Sequence, residues 1–296
     1  MASALDQYRT VSAAWAEGRL ENVLQRQKEL ALLHSNIKSS STNLIKAICN
    51  DLQTSKASGA DEVQLALDSI KHLYDDLDFP STLAEEKQIK KGGSSSSNLI
   101  ALGPVLIDPS PYSPFLSVIS PLAAAVAAGS SAIVLATSAS DKLNAELRTL
   151  ITKSLDVEAF VITESDSADI RRELSKQHFG AAALQNLSLR DDLFSSLHKT
   201  NPLIRVLSPP SGISAAFVDR SVQDLRAVAS HLISSGPIAP RYNPLRAPRL
   251  VFVDEIHTQH VQRAVELFAG SDNGFLLVPT RSLDHGIDIL GKMYVS

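Results

Sequence analysis

The residues that first suggest chemistry are two histidines beside a pair of acids. Asp254 and Glu255 are followed by His257 and His260, and a helix would place the two histidines on one face. Imidazole and carboxylate groups bind zinc and related metals, but such a site needs a third ligand in a fixed geometry. No established spacing of metal ligands matches this segment. The sequence therefore favours a solvated helix start that follows a strand.

The chain has few other reactive or phosphate-binding candidates. Its one cysteine, Cys49, cannot form an internal disulfide or a multi-cysteine metal site. The nearby acid Asp51 disfavours a thiolate, so Cys49 is predicted to be a small buried apolar residue. The adjacent glycines, Gly92 and Gly93, lie in a polar segment and not between a strand and a helix. They are therefore not predicted to form a phosphate-binding loop.

The composition is that of an ordinary globular protein. The 296-residue chain is 44% hydrophobic and 20% charged, and its length favours two domains. Its 28 basic and 32 acidic residues give a net charge of −4, which argues against a nucleic-acid partner because such proteins present basic surfaces to phosphates. The longest apolar stretch, residues 118–136, is interrupted by Pro121 and Gly129, so no membrane span is predicted. No targeting signal is found, and the expected location is the cytoplasm.

The periodicity of apolar residues divides the chain into a helical part and an alternating part. Residues 1–78 show helical spacing, with N-cap candidates at 39–42 for a second helix. Residues 78–98 are polar and of low complexity, and they are predicted to form a mobile connector. Beyond them strands alternate with helices, which is typical of an α/β fold with a doubly wound, mainly parallel sheet. We predict a first domain over 1–205 and a second, reduced α/β lobe over 206–296. The predicted elements of the alternating part begin with a strand at 99–107 and a helix at 116–128, and end with a strand-like segment at 293–296.

One long segment carries a specific resemblance to a known family. Residues 102–129, which begin LGPVLIDPSPYSPF, are similar to a signature of the aldehyde dehydrogenase superfamily, L-G-V-V-L-I-I-S-P-W-N-Y-P-F followed by P-L-x-x-A-x-A-A-G-N. Other segments resemble the family in the same order: RQKELALLHSNI, AAFVDRSVQDLRAVASHL, APRLVFVDE and LLVPTRSLDHGIDIL. The N-terminal segment is closest to the class that oxidises fatty and aromatic aldehydes. The resemblance covers nearly the whole chain and implies the family's α/β fold.

The catalytic residues of that family have no counterparts in this chain. Its nucleophilic cysteine corresponds to Pro244 or Leu245, and neither side chain can attack an aldehyde carbon. Its oxyanion-donating asparagine corresponds to Tyr112. Its general-base glutamate corresponds to Pro209, which has no proton-accepting side chain. The resemblance therefore implies a degenerate relative that does not oxidise aldehydes, with a catalytic domain shortened in its middle and at its end.

The positions that hold the dinucleotide in this family are also replaced. The lysine and glutamate that bind the adenosine ribose correspond to Leu135 and Ser138, and a later ribose-binding glutamate corresponds to Ser271. The F-x-G-S turn that meets the pyrophosphate corresponds to residues 184–187, which lack the glycine. We therefore predict no NAD or NADP cofactor and no metal.

Three polar side chains stand where substrate and nicotinamide meet in the family. Tyr112 is at the oxyanion position, and Arg241 and Tyr242 are beside the nucleophile position. Such groups are costly to bury without a partner. We therefore predict an open cleft between the two lobes, lined by these side chains, that holds a small acidic or carbonyl-bearing molecule.

The sequence leaves three functions open. The first is a non-catalytic binding protein, or pseudoenzyme, with a small-molecule ligand or a protein partner. The second is a cofactor-independent enzyme, such as a cyclase or isomerase, in which Tyr112, Arg241 and Tyr242 act on the substrate. The third is a residual NAD(P)-dependent oxidoreductase, which is the least favoured because it requires a nucleophile that the sequence does not reveal.

Overall fold

The chain folds into two compact units, residues 1–209 and residues 210–296. Each unit has its own parallel sheet and its own buried core. The computed structural model describes residues 3–92, 101–136, 140–164, 167–186, 188–209, 214–235, 250–269 and 275–295.

In the first unit, a group of helices precedes an alternation of strands and helices. The leading helices are α1 (Ala4–Ala16), α2 (Val23–Leu52), α3 (Lys56–Asp75) and α4 (Phe79–Lys90). The alternating part consists of β1 (Val105–Asp108), α5 (Pro114–Ala128), β2 (Ala132–Val134), α6 (Asp141–Ser154), β3 (Phe160–Ile162), α7 (Ala168–Leu174), β4 (Ala181–Leu184), α8 (Arg190–Thr200) and β5 (Arg205–Leu207).

The strands of this unit form one parallel sheet in the order β3-β2-β1-β4-β5. Helices cover both of its faces. On one face α2, α3, α5 and α6 share a core with Ile107 and Val134, and on the other α1, α7 and α8 share a core with Leu106 and Ile133. Neighbouring strand residues enter opposite cores because successive side chains of a strand point to opposite faces. The predicted α/β class with a doubly wound parallel sheet is confirmed.

Strand β1 does not include residues 101–104 of the predicted strand at 99–107, because the chain leading into it makes a close backbone contact; residues 99–100 lie outside the described residues. Gly103 has φ of 117°, a conformation that favours glycine. A Cβ atom on Gly180 would lie 1.9 Å from the carbonyl oxygen of Leu102, and the N–H of Gly180 donates to the carbonyl oxygen of Pro104 at 2.9 Å. The lead into β1 and the start of β4 therefore meet backbone to backbone.

Helix α2 is one continuous helix, whereas the sequence predicts a break with N-caps at 39–42. The side chains of Ser39 and Ser40 do not cap a new helix. Their hydroxyl groups donate to the carbonyl oxygen of Asn36 at 3.0 and 2.6 Å. Serine satisfies its hydroxyl inside a helix in this way, so a run of serines is not by itself a helix boundary.

The predicted mobile connector is wrong for residues 79–90, which form α4. The side chain of Asp78 accepts from the N–H of Ser81, and Pro80 occupies the first turn, so the helix has two ordinary start signals. The glutamate and lysine residues that made the segment look like a linker are also good helix formers. Residues 93–98 of the predicted connector lie outside the described residues.

The second unit contains a smaller parallel sheet in the order β6-β7-β8. Its elements are β6 (Ala215–Val218), α9 (Leu225–Ser235), β7 (Leu250–Asp254), α10 (Thr258–Ala269), β8 (Leu276–Thr280) and α11 (Leu283–Val295). Val251, Val253, Val261 and Val265 are at the centre of its core. The predicted strand-like end at 293–296 is wrong, because α11 extends to Val295.

Besides α4, three elements were not predicted: α8, β5 and β6. Only two residues of α8, Leu193 and Leu197, are buried, so its apolar pattern is weak. No residue of β5 is fully buried, and its sequence accordingly lacks the apolar run that marks an inner strand. Over the described ranges, no helix has both the length and the apolar character needed to cross a membrane.

Candidate functional site

The first unit has a natural ligand position at the carboxyl ends of β1 and β4. In this sheet the chain runs outward from β1 through β2 to β3, and then returns to β4 on the other side of β1. The connecting helices α5 and α7 consequently pack on opposite faces. In open α/β sheets this arrangement creates a crevice between the ends of the two central strands. Asp108 and Leu184 are paired in register at this edge. Ligands of open α/β sheets bind at such a switch point.

Tyr112 lies in the loop that joins β1 to α5, at this edge of the sheet, and is half-buried. The loop is held by its own polar groups: the N–H of Tyr112 donates to Oγ of Ser110 at 3.3 Å, and the N–H of Ser110 donates to Oγ of Ser117 at 3.0 Å. Oε1 of Glu62 accepts from the N–H of Leu116 at 3.0 Å. A carboxylate of the protein therefore occupies the N-terminal end of α5, where an anionic ligand would otherwise be favoured.

A buried ion pair lies at the end of β1. Nη2 of Arg171, on α7, is 2.9 Å from Oδ1 of Asp108, and the two side chains are 11% and 0% exposed. A short, buried pair of this kind holds α7 against the end of the strand. Sequence reasoning missed this pair. The available signal was an acid at the end of the apolar run VLID.

Gln185 bridges the crevice from the other side. Its N–H donates to the carbonyl oxygen of Asp108 at 2.9 Å, which continues the sheet, and its Nε2 donates to the carbonyl oxygen of Ser117 at 2.7 Å. The side chain therefore ties the end of β4 to α5. This is the segment that corresponds to the pyrophosphate-binding turn in the family that the sequence resembles; its last residue, Leu187, lies outside the described residues.

The N-terminus of α8, which follows that turn, is already supplied with negative charge. Its first turn contains Asp191 and Asp192, and the N-cap residue Leu189 makes no capping hydrogen bond through its side chain. Nε of Arg190 is 2.8 Å from Oδ1 of Asp191. Two carboxylates at a helix N-terminus use the favourable end of the helix dipole and repel a phosphate.

The ends of β2 and β3 offer little to a ribose. Leu135, which replaces the family's lysine, is completely buried in an apolar core, and Ser138 lies outside the described residues. Oγ1 of Thr163 accepts from the N–H of Ala136 at 3.0 Å, and Nη2 of Arg148 donates to the carbonyl oxygen of Thr163 at 2.8 Å. Taken with the bridge at Gln185 and the acids of α8, these described residues do not fit a dinucleotide.

The other predicted site residues have different outcomes. Arg241 and Tyr242 lie outside the described residues, so of the three predicted cleft residues only Tyr112 is described. Pro209 is half-buried, and its carbonyl oxygen accepts from Nη1 of Arg190 at 3.5 Å. Pro244, Leu245 and Ser271 are also outside the described residues.

The acid and histidine cluster of the second unit forms the turn between β7 and α10. Oδ2 of Asp254 is 3.1 Å from Nε of Arg220, and Oδ1 of Asp254 accepts from the N–H of Ile256 at 3.1 Å. Nε2 of His257 lies 3.0 Å from the carbonyl oxygen of Arg220, and His260 is exposed on α10. Within the part of the chain that is described, no three acid, histidine or cysteine side chains come together to hold a metal ion. Cys49, predicted to be buried, is half-buried on α2.

Comparison with known proteins identifies the fold. No protein-family model and no curated protein sequence matches the chain. Several solved structures do match it. AldH from Staphylococcus aureus, in a substrate-bound state, matches 92% of this chain with 20% identity and a TM-score of 0.71. Aldehyde dehydrogenase 21 from Physcomitrella patens, in complex with succinate, matches 92% of this chain with 16% identity and a TM-score of 0.70. An NAD-dependent benzaldehyde dehydrogenase from Corynebacterium glutamicum matches 99% of this chain with 12% identity and a TM-score of 0.70.

These matches establish an aldehyde dehydrogenase-like fold and thereby confirm the resemblance at the level of the fold. The chain spans 60%, 57% and 65% of the lengths of the three matched chains. Identities this low carry no information about activity.

Proposed function

We propose that this protein is a cytoplasmic, non-catalytic binding protein with the aldehyde dehydrogenase fold, and that it neither oxidises aldehydes nor holds NAD or NADP. The observation that carries this proposal is the set of groups at and after the carboxyl ends of β1 and β4. There, the side chain of Gln185 bonds to α5, and Asp191 and Asp192 occupy the first turn of α8. A dinucleotide would have to displace the side chain of Gln185, and its phosphates would be repelled by the carboxylates of Asp191 and Asp192.

The test is a calorimetric titration of the full chain with NAD and NADP. Each charge-assisted hydrogen bond that a cofactor site lacks removes about 1.5–3 kcal/mol, so we expect no binding tighter than about 1 mM. A micromolar dissociation constant, or reduction of NAD in the presence of an aldehyde, would contradict the proposal.

A pair of variants tests the electrostatic part of the argument. Asp191→Asn/Asp192→Asn removes the two charges at the start of α8, whereas Asp284→Asn/Asp288→Asn removes two exposed charges from α11 in the second unit. With inorganic pyrophosphate as the probe, we expect binding to strengthen in the first variant only. Equal behaviour of the two variants would show that the acids of α8 do not govern anion binding there.

Tyr112, Arg241 and Tyr242 remain our proposed ligand-contacting residues. The support for Tyr112 is its position in a half-buried loop held by Ser110, Ser117 and Glu62. A ligand that contacts its hydroxyl group should lose roughly tenfold in affinity with Tyr112→Phe, while protein stability stays the same.

A further inference from the structure

A separate cavity of about 710 Å³ lies in the first unit, on the side of the sheet where α5 packs. Its walls are formed by β4, by the C-terminal half of α5, by the start of α2 and by the turn between α3 and α4. Among the described residues, none of those that border the crevice between β1 and β4 also lines this cavity. It is therefore a different place on the molecule from the crevice.

The topology of the sheet explains why the cavity exists. Right-handed crossovers place α7 and α8, the helices before and after β4, on the opposite face of the sheet. Among the described elements, no crossover helix consequently covers β4 and β5 on the α5 side. The walls are also built from very small side chains, including Ala181 and Ala183 on β4 and Ala124, Ala125 and Ala128 on α5. Small side chains on both walls leave a volume that larger ones would fill.

Among the described residues, Arg26 is the one cation that lines this largely apolar cavity. Its Nη1 donates to the carbonyl oxygen of Ala127 at 2.9 Å and its Nη2 donates to that of Glu21 at 3.0 Å. Its Nε is buried and has no hydrogen-bond partner within the described residues, and the side chain takes part in no ion pair there. Burial lowers the pKa of Arg26, because the charged form has lost water without gaining a carboxylate. An anion beside this guanidinium would compensate its desolvation.

Two acids also line the cavity, but both are on its solvent side. Asp76 and Asp78 are exposed, and the carboxylate of Asp78 is bonded to the N–H and the hydroxyl group of Ser81 at the start of α4. Charges in water act weakly at a distance, whereas the half-buried charge of Arg26 acts through a less polar medium. Inside the cavity, the attraction of an anion to Arg26 therefore exceeds its repulsion by Asp76 and Asp78.

We propose that this cavity binds a small monocarboxylate with an apolar body, aliphatic or aromatic, whose carboxylate lies at Arg26 and whose body lies against the alanine walls. The volume is within the range of small-molecule sites, about 300–1,000 Å³, and a mainly apolar lining with a few charged groups is typical of them. The proposal goes beyond the non-catalytic function stated above and does not depend on it, because a titration with NAD reports on the crevice and not on this cavity.

The probe ligands are decanoate and 2-naphthoate, each titrated into the full chain by calorimetry. Decanol and decylamine serve as matched ligands that keep the apolar body and change only the head group. We expect decanoate to bind roughly tenfold or more tightly than decanol, because the alcohol lacks a charge-assisted hydrogen bond with Arg26, and decylamine to bind more weakly still.

Two variants locate the bound ligand. Ala181→Leu places a larger side chain in the cavity and should weaken binding of the carboxylates roughly tenfold or more, whereas Ala227→Leu, on the exposed side of α9 in the second unit, should leave it unchanged. Arg26→Gln should abolish the preference for the acid over the alcohol.

Arg26 also bonds to two backbone carbonyls, so its replacement can unfold the chain. Ala181→Leu and the head-group series therefore test the proposal without the Arg26 variant. Failure of both carboxylates to bind, equal affinity for the three decyl ligands, or full binding by Ala181→Leu would overturn the proposal.

Discussion

Glu29, on α2, is a carboxyl group whose surroundings oppose its charge. It is 3% exposed; its Oε1 accepts from Nε2 of Gln25 at 2.9 Å, whereas its Oε2 is buried without a hydrogen-bond partner in the described part of the chain. Burial, followed by the negative charge of Asp156, raises the pKa of Glu29.

This environment predicts a specific dependence of stability on pH. A pKa that is higher in the folded than in the unfolded state contributes stability that is fully present below the unfolded value and is lost as the pH rises through the folded value. We therefore expect Glu29→Gln to increase the free energy of unfolding at neutral pH, and to bring little change at a pH where Glu29 is protonated in both states. Urea denaturation at several pH values measures this.

The control for this prediction is Glu21→Gln, which removes the same charge from an exposed position. A Glu29→Gln variant that is less stable than the wild type at neutral pH would show that the ionised carboxylate has a partner that stabilises it.

At the scale of elements, the end of α2 shows how a helix can stop at an unfavourable residue. Its C-cap, Gln53, has φ of 48° and ψ of 38°, and is the one non-glycine residue with positive φ among those described. A residue with a Cβ atom is strained in this left-handed conformation, which glycine adopts readily. The turn exists because α2 and α3 pack against each other through a shared core.

Gln53→Gly is therefore expected to stabilise the protein by about 1 kcal/mol, because relief of strain exceeds the greater flexibility that glycine gives the unfolded chain. Thermal or urea unfolding of the purified variant measures this. Gln53→Ala keeps the Cβ atom and is the matched control, for which we expect no gain. Equal effects of the two substitutions would show that the side chain of Gln53, and not its backbone, sets the stability of this turn.

For α4, the composition of the segment indicates a linker, whereas the residues at its start indicate a helix. The lysine, glutamate and serine content of the segment suggested a linker, whereas Asp78 and Pro80 are start signals for a helix. The start signals were correct for residues 79–90. They act through backbone hydrogen bonds at one position, while composition averages over a segment and does not record where such bonds form.

At the scale of the whole molecule, each unit has a buried apolar core of its own. The buried clusters of the first unit draw on residues between Ala4 and Ile204, and the cluster of the second draws on residues between Val218 and Val265. A unit with a buried apolar core of its own can fold alone.

We therefore expect a fragment of residues 1–209 to fold without the second unit. It should show the circular dichroism of an α/β protein and unfold in one cooperative thermal transition. The full chain is the reference. A fragment that binds hydrophobic dyes and unfolds gradually would instead show that the first unit needs the second for its packing.

The sequence by itself determined the class of the fold and the order of most of its elements. Both follow from local features: apolar periodicity, caps and glycines act over a few residues, and they are readable without knowing what packs against them. The motif around Tyr112 likewise indicated the loop after β1, where the structure has it.

Only the tertiary structure decided which groups meet. The ion pair of Asp108 and Arg171 joins residues 63 positions apart, and the hydrogen bond of Gln185 to Ser117 joins residues 68 positions apart. The alanine-walled cavity arises because crossovers of fixed hand leave one half of a sheet face without a crossover helix among the described elements, on a strand whose side chains are small. These features depend on strand order and on the faces to which distant residues are assigned, and local spacing contains neither.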